Sequence, residues 1–448
     1  MNGAILMADV AWLVLSGLNK SHTRASAAFD KQGGYGAYTV KDCLERGGIE
    51  TDFCSPSTAK NYRVVLVPLV FTSGIADFLK AVIPHDDWQP GARSFKVVVG
   101  GFGVHNVYPY REYADAAVFG RCEEFIVDLV CNLLDGKQFQ HKSVMNLPDI
   151  YPVEYGQASE LYPHCVMLGN GKTFKETSIG CSRACLFCHY RWTRKHVGGL
   201  AYDMQQVSGA ASVETTIWDV FDIWDRKKAK VRFGIDGNSE RLRMAFGKPI
   251  TNAMLVETIE RISAEATCSP TVRPEIYTIG SYPTESEEDR NELGRVLSRC
   301  KCCGVPVKMM VQLTPFRPSL MTPSQWEAAN VVYNWNLHAV TNIASVEGLE
   351  VYYRYSIEGP ASLLEQMIFE RASEGSDQII KTVLFSPQYK RLKSREKVQA
   401  LSATFNIAQY IQLYEIGDTL PTSYLSSYTE NEKLEMAAKN LRVRLSGI

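Results

Sequence analysis

Short, continuous apolar runs recur through the first third of the chain, and they restrict its fold more than any other feature. "YRVVLVPLV" (62–70), "FKVVVGG" (95–101) and "AAVFG" (116–120) show no polar/apolar alternation. A strand that is apolar on both sides is buried on both faces, as in a parallel sheet covered by helices. Residues 10–15 and 49–54 read as two further strands. Between them Ala37, Val40 and Leu44 recur on one helical face, closed by Gly47 and Gly48. The leading "MNGAILMADVAWLVLSG" has no basic stretch and is interrupted by Asp9, so it reads as a buried first strand rather than an export signal. In such folds ligands lie beyond the carboxyl ends of the strands. Gly100, Gly101 and Gly120 stand at those ends, where glycine lets backbone approach closely.

A length of 448 residues predicts more than one domain. Residues 1–145 form the first α/β series. Residues 146–172 lack periodicity and read as a linker. Residues 173–330 form a second α/β series, and 331–448 read as mostly helical. In the second series Thr251 caps a helix with Leu255, Ile259 and Ile262 on one face. "EIYTIG" (275–280) and "VKMMVQL" (307–313) read as strands. "TESE" (284–287) reads as a capping box between Thr284 and Glu287.

Lys and Arg number 48 against 49 Asp and Glu, so no global field draws the chain to nucleic acid or to a membrane. No uninterrupted apolar stretch is long enough to span a bilayer. With no export signal, a reducing cytoplasm is the expected compartment, and the twelve cysteines read as buried thiols or metal ligands.

"TSIGCSRACLFCHYRW" (177–192) places Cys181, Cys185 and Cys188 at C-x3-C-x2-C spacing, after a Gly180 that allows a tight turn. A closed zinc site wants four ligands, and His189 or His196 would have to complete one. A four-iron cluster held by three thiolates leaves one iron open to a small molecule.

The spacing, with aromatic Phe187 before the last cysteine, resembles the signature of radical S-adenosylmethionine (SAM) enzymes. Further segments are similar, in the same order, to the members that carry a cobalamin-type domain: "GIDGNSERLRMAFGKPIT" (234–251), "YTIGSYPTESEED" (277–289), "FRPSLMTPSQW" (316–326) and "GPASLLEQMIFERA" (359–372), whose last residue, Ala372, stands where the family has Gly. The resemblance implies a cobalamin-binding Rossmann-like domain, then a partial (β/α) radical SAM barrel, then helices. It implies that Cys181, Cys185 and Cys188 hold a 4Fe-4S cluster, that SAM binds its open iron, and that Phe187 packs near the adenine. By position, Ser239, Glu240, Arg241, Arg243 and Gly280 are candidates to hold SAM, against the plainer reading of an N-capped helix with exposed arginines and a turn glycine. The family's usual Gly-Gly-Glu-like element between Cys188 and Gly234 has no counterpart here.

"VVVGGFGVHNVYPYREYADAAVFGRCEEFIVDL" resembles the cobalamin domain of that group, and implies Gly100, Gly101, Gly120 and Glu123 as contacts. There is no D-x-H-x-x-G, so no histidine is expected beneath cobalt; His105 follows the glycine pair. The implied activity is methylation or another radical modification of an unactivated carbon in a small molecule or nucleobase, fed by an electron donor such as flavodoxin or ferredoxin. Radical rearrangement without cobalamin, nucleic-acid modification of the methylthiotransferase type, and a metal-containing binding protein without turnover are the alternatives. "HYRWTRKHVGG" (189–199) reads as a solvated loop or a site for an anionic substrate. "CKCC" (300–303) reads as structural thiols, and "KRLKSREK" (390–397) as an exposed helix face.

Overall fold

The structure, a computed structural model, describes the chain except for residues 1–7, 16–21, 71, 184, 199–203, 207–212, 332–346, 356–358, 428 and 447–448. The beginning of the expected first strand and the end of the basic stretch at 199 therefore lie outside the described residues.

The first sheet is built from β1 (Val10–Leu13), β2 (Thr51–Cys54), β3 (Val64–Pro68), β4 (Lys96–Gly100), β5 (Ala116–Val118) and β6 (Val144–Asn146). Its strand order is β2-β1-β3-β4-β5-β6. The first five strands are parallel, and β6 closes the edge antiparallel to β5. Helix α1 (His22–Arg46), broken at Gly34 (φ 55°), and α3 (Ile126–Leu134) cover one face; α2 (Ser73–Val82) covers the other. Alternate strand residues feed opposite cores. Leu13, Val65, Val67, Val97 and Val99 share a core with Ile75, Phe78 and Leu79 of α2. Val10, Trp12, Val64, Leu66 and Val98 share one with Phe29, Leu129 and Val130. Each such side chain contributes about 1.5–3 kcal/mol on burial, which is why these runs carry no polar alternation.

Residues 146–172, read above as a linker, carry β7 (Val153–Glu154) and β8 (Val166–Met167). Strand β7 pairs with a late strand, Leu425–Ser426, and β8 pairs with β9 (Thr173–Glu176). The C-terminal helices are not a separate body either. Leu363, Leu364 and Met367 of the helix Pro360–Arg371 belong to the same core as α2. Asn106, in the loop after β4, donates to the carbonyls of Phe369, Glu370 and Ala372 at 3.0, 3.0 and 2.8 Å, and so satisfies the end of that helix.

The second sheet is five parallel strands in sequential order: β13 (Val213–Thr216), β14 (Lys230–Gly234), β15 (Arg273–Gly280), β16 (Val307–Pro315) and β17 (Leu349–Tyr355). Helices α7 (Asn252–Glu265) and α8 (Glu287–Leu297) cover one face through Leu255, Ile259, Ile262, Leu293 and Val296. The last strand lies in the stretch that the sequence reading gave to helices. Its sequence, LEVYYRY, mixes Glu350 and Arg354 with three tyrosine and valine positions in a row and shows no clean alternation of the β16 kind.

Thr251 caps α7 as expected, accepting from the Met254 amide. The second capping box is displaced by two residues: Ser286 and Asp289 form it, not Thr284 and Glu287. Asp289 captures both the amide and the hydroxyl of Ser286 at 2.8 Å, while the Thr284 carbonyl accepts from Arg241. Cys300 and Cys302 are buried in the second core and Cys303 is exposed, as structural thiols would be. Lys390, Arg391, Lys393 and Arg395 are exposed.

Candidate functional site

The cysteine loop is closed at its base by a two-stranded ladder, β10 (Ser178–Ile179) against β11 (Val197–Gly198). Gly180 turns into the loop at φ 66°, and a Cβ there would meet the carbonyls of Lys195 and Arg194 at 2.8 and 2.9 Å. Gly180→Ala is therefore expected to cost about 1–3 kcal/mol in strain, seen as a lower melting temperature and faster proteolysis between residues 180 and 196. The loop is then tied down by backbone: Leu186 donates to the Phe246 carbonyl at 2.9 Å, and Ser324 donates to Leu186 at 3.2 Å. Trp192 Nε1 donates to the Cys185 carbonyl at 2.9 Å. Leu186 and Phe187 pack with Phe246, Tyr282 and Phe316. Tyr282 and Phe316 stand just beyond the carboxyl ends of β15 and β16, and Phe246 packs on both, so the loop lies over the end of the sheet where open parallel folds take their ligands.

Burial pushes the Cys185 thiol up to about 12 and the Cys188 thiol up to about 11, and nearby Cys181 adds to both. The three thiols are thus near one another. They do not converge on a point: among the described residues no three His, Cys, Asp or Glu side chains stand ready for one metal ion. Three neighbouring thiols are the donor type that an iron–sulfur cluster takes.

Two further groups face the thiols. Asp236 and Lys248 form an ion pair, and both act electrostatically on Cys185 and Cys188. Burial would lower the Lys248 pKa, but Asp236 and the two thiols outweigh it and hold the ammonium charged. Asp236 sits at φ 54°, with its carbonyl accepting from the Tyr282 hydroxyl at 2.7 Å. The sequence reading missed both residues, though an Asp between glycines in "GIDGN" was a signal of unusual backbone.

The candidate SAM contacts have partners of their own. Ser239 caps α6 (Glu240–Ala245) and donates to Asp289 at 2.6 Å. Glu240 accepts from the Asn252 amide at 2.6 Å. Arg241 grips Asp289 with two bonds, 3.0 and 2.5 Å. Arg243 is fully buried and donates to Ile250, Gly237 and Asn252. This is an N-capped helix whose charges are internal, rather than the exposed arginines of the plainer reading. Gly280 ends β15, and a Cβ there would stand 3.1 Å from Leu313.

Burial would raise the Asp289 pKa, but the hydrogen bonds from Arg241, Ser239 and Ser286 outweigh it and hold the carboxyl well below the usual range. A depressed carboxyl contributes stability that is full above the unfolded value, about 4, and lost as pH falls through the folded value. Asp289→Asn is expected to melt below the parent at pH 7, with the gap shrinking as pH drops below about 4.

A second site lies over the first sheet. A cavity of about 510 Å³ is lined by Pro68, Gly100, Gly101, Gly120 and Glu123, with Tyr35 of α1 across from them. It therefore gathers all four residues expected to touch cobalamin. Two of the glycines are also required by the fold itself: a Cβ on Gly101 (φ 111°) would meet the Leu69 carbonyl at 2.6 Å, and one on Gly120 (φ 79°) the Gly156 carbonyl at 2.4 Å. At the cavity wall Arg121 pairs with Glu123 at 2.8 Å and with Glu176 at 2.5 Å.

The basic stretch after Cys188 is not a solvated loop. Its helix, α4 (His189–Thr193), packs His189 against Phe102 and His105 of the loop after β4, with ring centroids 4.5 and 4.0 Å apart. Apolar and aromatic contact outweighed the hydration of its charges. Tyr190 and Arg194 line the cavity, so the stretch joins the two sites.

No family model matches the chain, and no curated protein does. Solved structures of the cobalamin-dependent S-adenosylmethionine radical enzyme OxsB are similar to it. The form with aqua-cobalamin bound has 11% identity over 86% of this chain and 56% of that one, at a TM-score of 0.26. The form with aqua-cobalamin and S-adenosylmethionine has 11% identity over 98% and 62%, also at 0.26. The apo form has 10% identity over 99% and 62%, at 0.27. This chain spans about three-fifths of that enzyme's length, and superpositions this loose carry no argument for a shared activity.

Proposed function

We propose that the chain is a radical SAM enzyme that modifies an unactivated carbon. Cys181, Cys185 and Cys188 would hold the 4Fe-4S cluster. Such a cluster, when bound, supplies the electron that cleaves SAM to methionine and a 5′-deoxyadenosyl radical. The observation that carries this reading is the placement of three neighbouring thiols, on a loop closed by its own ladder, over the carboxyl ends of β15 and β16.

The chain's own residues do the rest. Phe187, Phe246, Tyr282 and Phe316 wall the site and exclude water from a reactive species. Lys248 brings a buried positive charge to thiols that must ionise on ligation. Phe187 and Gly280 are the proposed contacts for adenosine. Ser239, Glu240, Arg241 and Arg243 enter as the frame that fixes α6, α7 and α8 around the site.

The cavity over the first sheet is the proposed cobalamin site, with Gly100, Gly101, Gly120 and Glu123 in contact. Bound there, cobalamin makes methyl transfer the favoured outcome; without it, rearrangement is. The proposed electron donor is a small carrier of the flavodoxin or ferredoxin class.

Anaerobic reconstitution with iron and sulfide tests the reading. A brown protein that forms 5′-deoxyadenosine from SAM under reductant supports it. A colourless chain that takes up one zinc per molecule and makes no such product rejects it. Purification with cobalamin present is expected to give one cobalt per chain. Cobalt-free protein that still cleaves SAM would remove cobalamin from the proposal.

A further inference from the structure

Between the cavity and the cysteine loop lies a buried polar cluster that the proposed chemistry leaves unused. His105 comes from the loop after β4, Tyr155 follows β7, and His189 starts α4. The His105 ring lies 4.0 Å from that of His189 and is stacked at 5.7 Å on that of Tyr155. His105 and Tyr155 are 7% and 3% exposed. His189 keeps an exposed edge, yet its Nε2 is enclosed. His105 Nε2, His189 Nε2 and the Tyr155 hydroxyl have no hydrogen-bond partner among the described residues. A buried polar group without a partner costs about 1–3 kcal/mol, and three from three separate segments at one point mark a place for a ligand.

The charge around the cluster decides what kind. Arg194 lies over the rings of Phe102 and Tyr190 at 5.1 and 4.9 Å and lines the cavity. Its Nε has no partner either. Arg194 acts electrostatically on His105, and Arg194 and Arg317 both act on His189. Arg317 is offset in part by Glu370 at 3.5 Å. A metal cation placed at the histidines would face these guanidiniums; an oxyanion would be drawn to them.

We propose that Arg194, His105, His189 and Tyr155 form a subsite for an oxyanion group, phosphoryl or carboxylate, of a substrate that lies between the adjoining cavity and the cysteine loop. The imidazole N–H groups and the phenol donate to its oxygens, and Arg194 supplies the charge. Neither the cluster nor SAM enters this inference, so its failure and that of the proposed chemistry are separable.

The test is a titration of the full-length chain with inorganic phosphate, with acetate, and with chloride as a control, at constant ionic strength. Thermal melting reports binding to the folded state, because a ligand that binds only that state raises the midpoint with its concentration. Phosphate or acetate is expected to raise it and chloride is not; the oxyanion with the lower half-maximal concentration assigns the source. Arg194→Gln is expected to raise that concentration about tenfold. His105→Gln and Tyr155→Phe should each weaken binding less, and Lys137→Gln, on the surface, not at all. Phosphorus NMR line broadening gives a second reading on any variant that melts early. The proposal is overturned if neither oxyanion moves the midpoint, or if Arg194→Gln and His105→Gln respond as the parent does.

Discussion

Cys185→Ala is expected to make no 5′-deoxyadenosine above background and to retain little iron after anaerobic reconstitution. The thiol is buried on a segment whose backbone is held independently of it. Its carbonyl accepts from Trp192, and the next residue donates to Phe246. Alanine thus removes a ligand without releasing the loop, and a three-thiolate set reduced to two leaves two irons of a cube bare. The loss should exceed about a thousandfold, since the chemistry belongs to the cofactor and no protein group replaces it. Alanine leaves a small cavity, so the metal-free protein should melt within about 1–2 kcal/mol of the parent. Cys300→Ala, in the core of the second sheet, serves as a control that keeps both iron and product. An unchanged yield of 5′-deoxyadenosine in Cys185→Ala would falsify the ligand assignment.

Both parallel sheets were legible in the sequence because burial on two faces, or on one, leaves a pattern of its own. Runs such as "VVLVP" and the alternation of Val307, Met309, Val311 and Leu313 need no tertiary knowledge. The Thr251 cap was legible for the same local reason. The second cap was not: two boxes overlapped in "TESEED", and Asp289 was claimed by Ser286, Ser239 and Arg241 together, a choice made by residues some fifty positions away. The cysteine loop could be read, but not its surroundings. Asp236 precedes α6 and Lys248 follows it, and only the folded helix brings them together beside the thiols. His105, Tyr155 and His189 come from three segments, and nothing local in any of them marks the meeting. The solvated reading of "HYRWTRKHVGG" failed because charge counts do not reveal an aromatic partner such as Phe102.

Arg371→Met is expected to be the most destabilising single change outside the cysteine loop. The guanidinium is 2% exposed and spans four carbonyls: Tyr410 at 3.2 Å, Gln412 at 3.1 Å, and Gln325 and Glu327 at 2.8 Å each. It also lies 4.9 Å over the Tyr414 ring. Burial lowers its pKa to about 10, so it stays charged at neutral pH. One side chain therefore ties the segment between β16 and β17 to the helices that share a core with the first sheet. Methionine keeps much of the volume and leaves those carbonyls buried without donors, at a cost of about 3–5 kcal/mol. Because so large a chain is prone to unfold irreversibly, the effect is best read as a faster unfolding rate and as amide exchange lost first near 325–327 and 408–412. Arg371→Lys should recover only part of it, since an ammonium is a point charge and cannot span the four acceptors. The neighbouring Ala372 bears on the same junction. It leaves the helix at φ −59° and ψ 140°, where no glycine is needed, and its carbonyl is taken by Asn106. The alanine that breaks the family pattern thus fits the backbone here, and the strength of this junction rests on the arginine beside it. If Arg371→Met unfolds no faster than the parent, the carbonyls have found other donors and the two halves are held by their shared core alone.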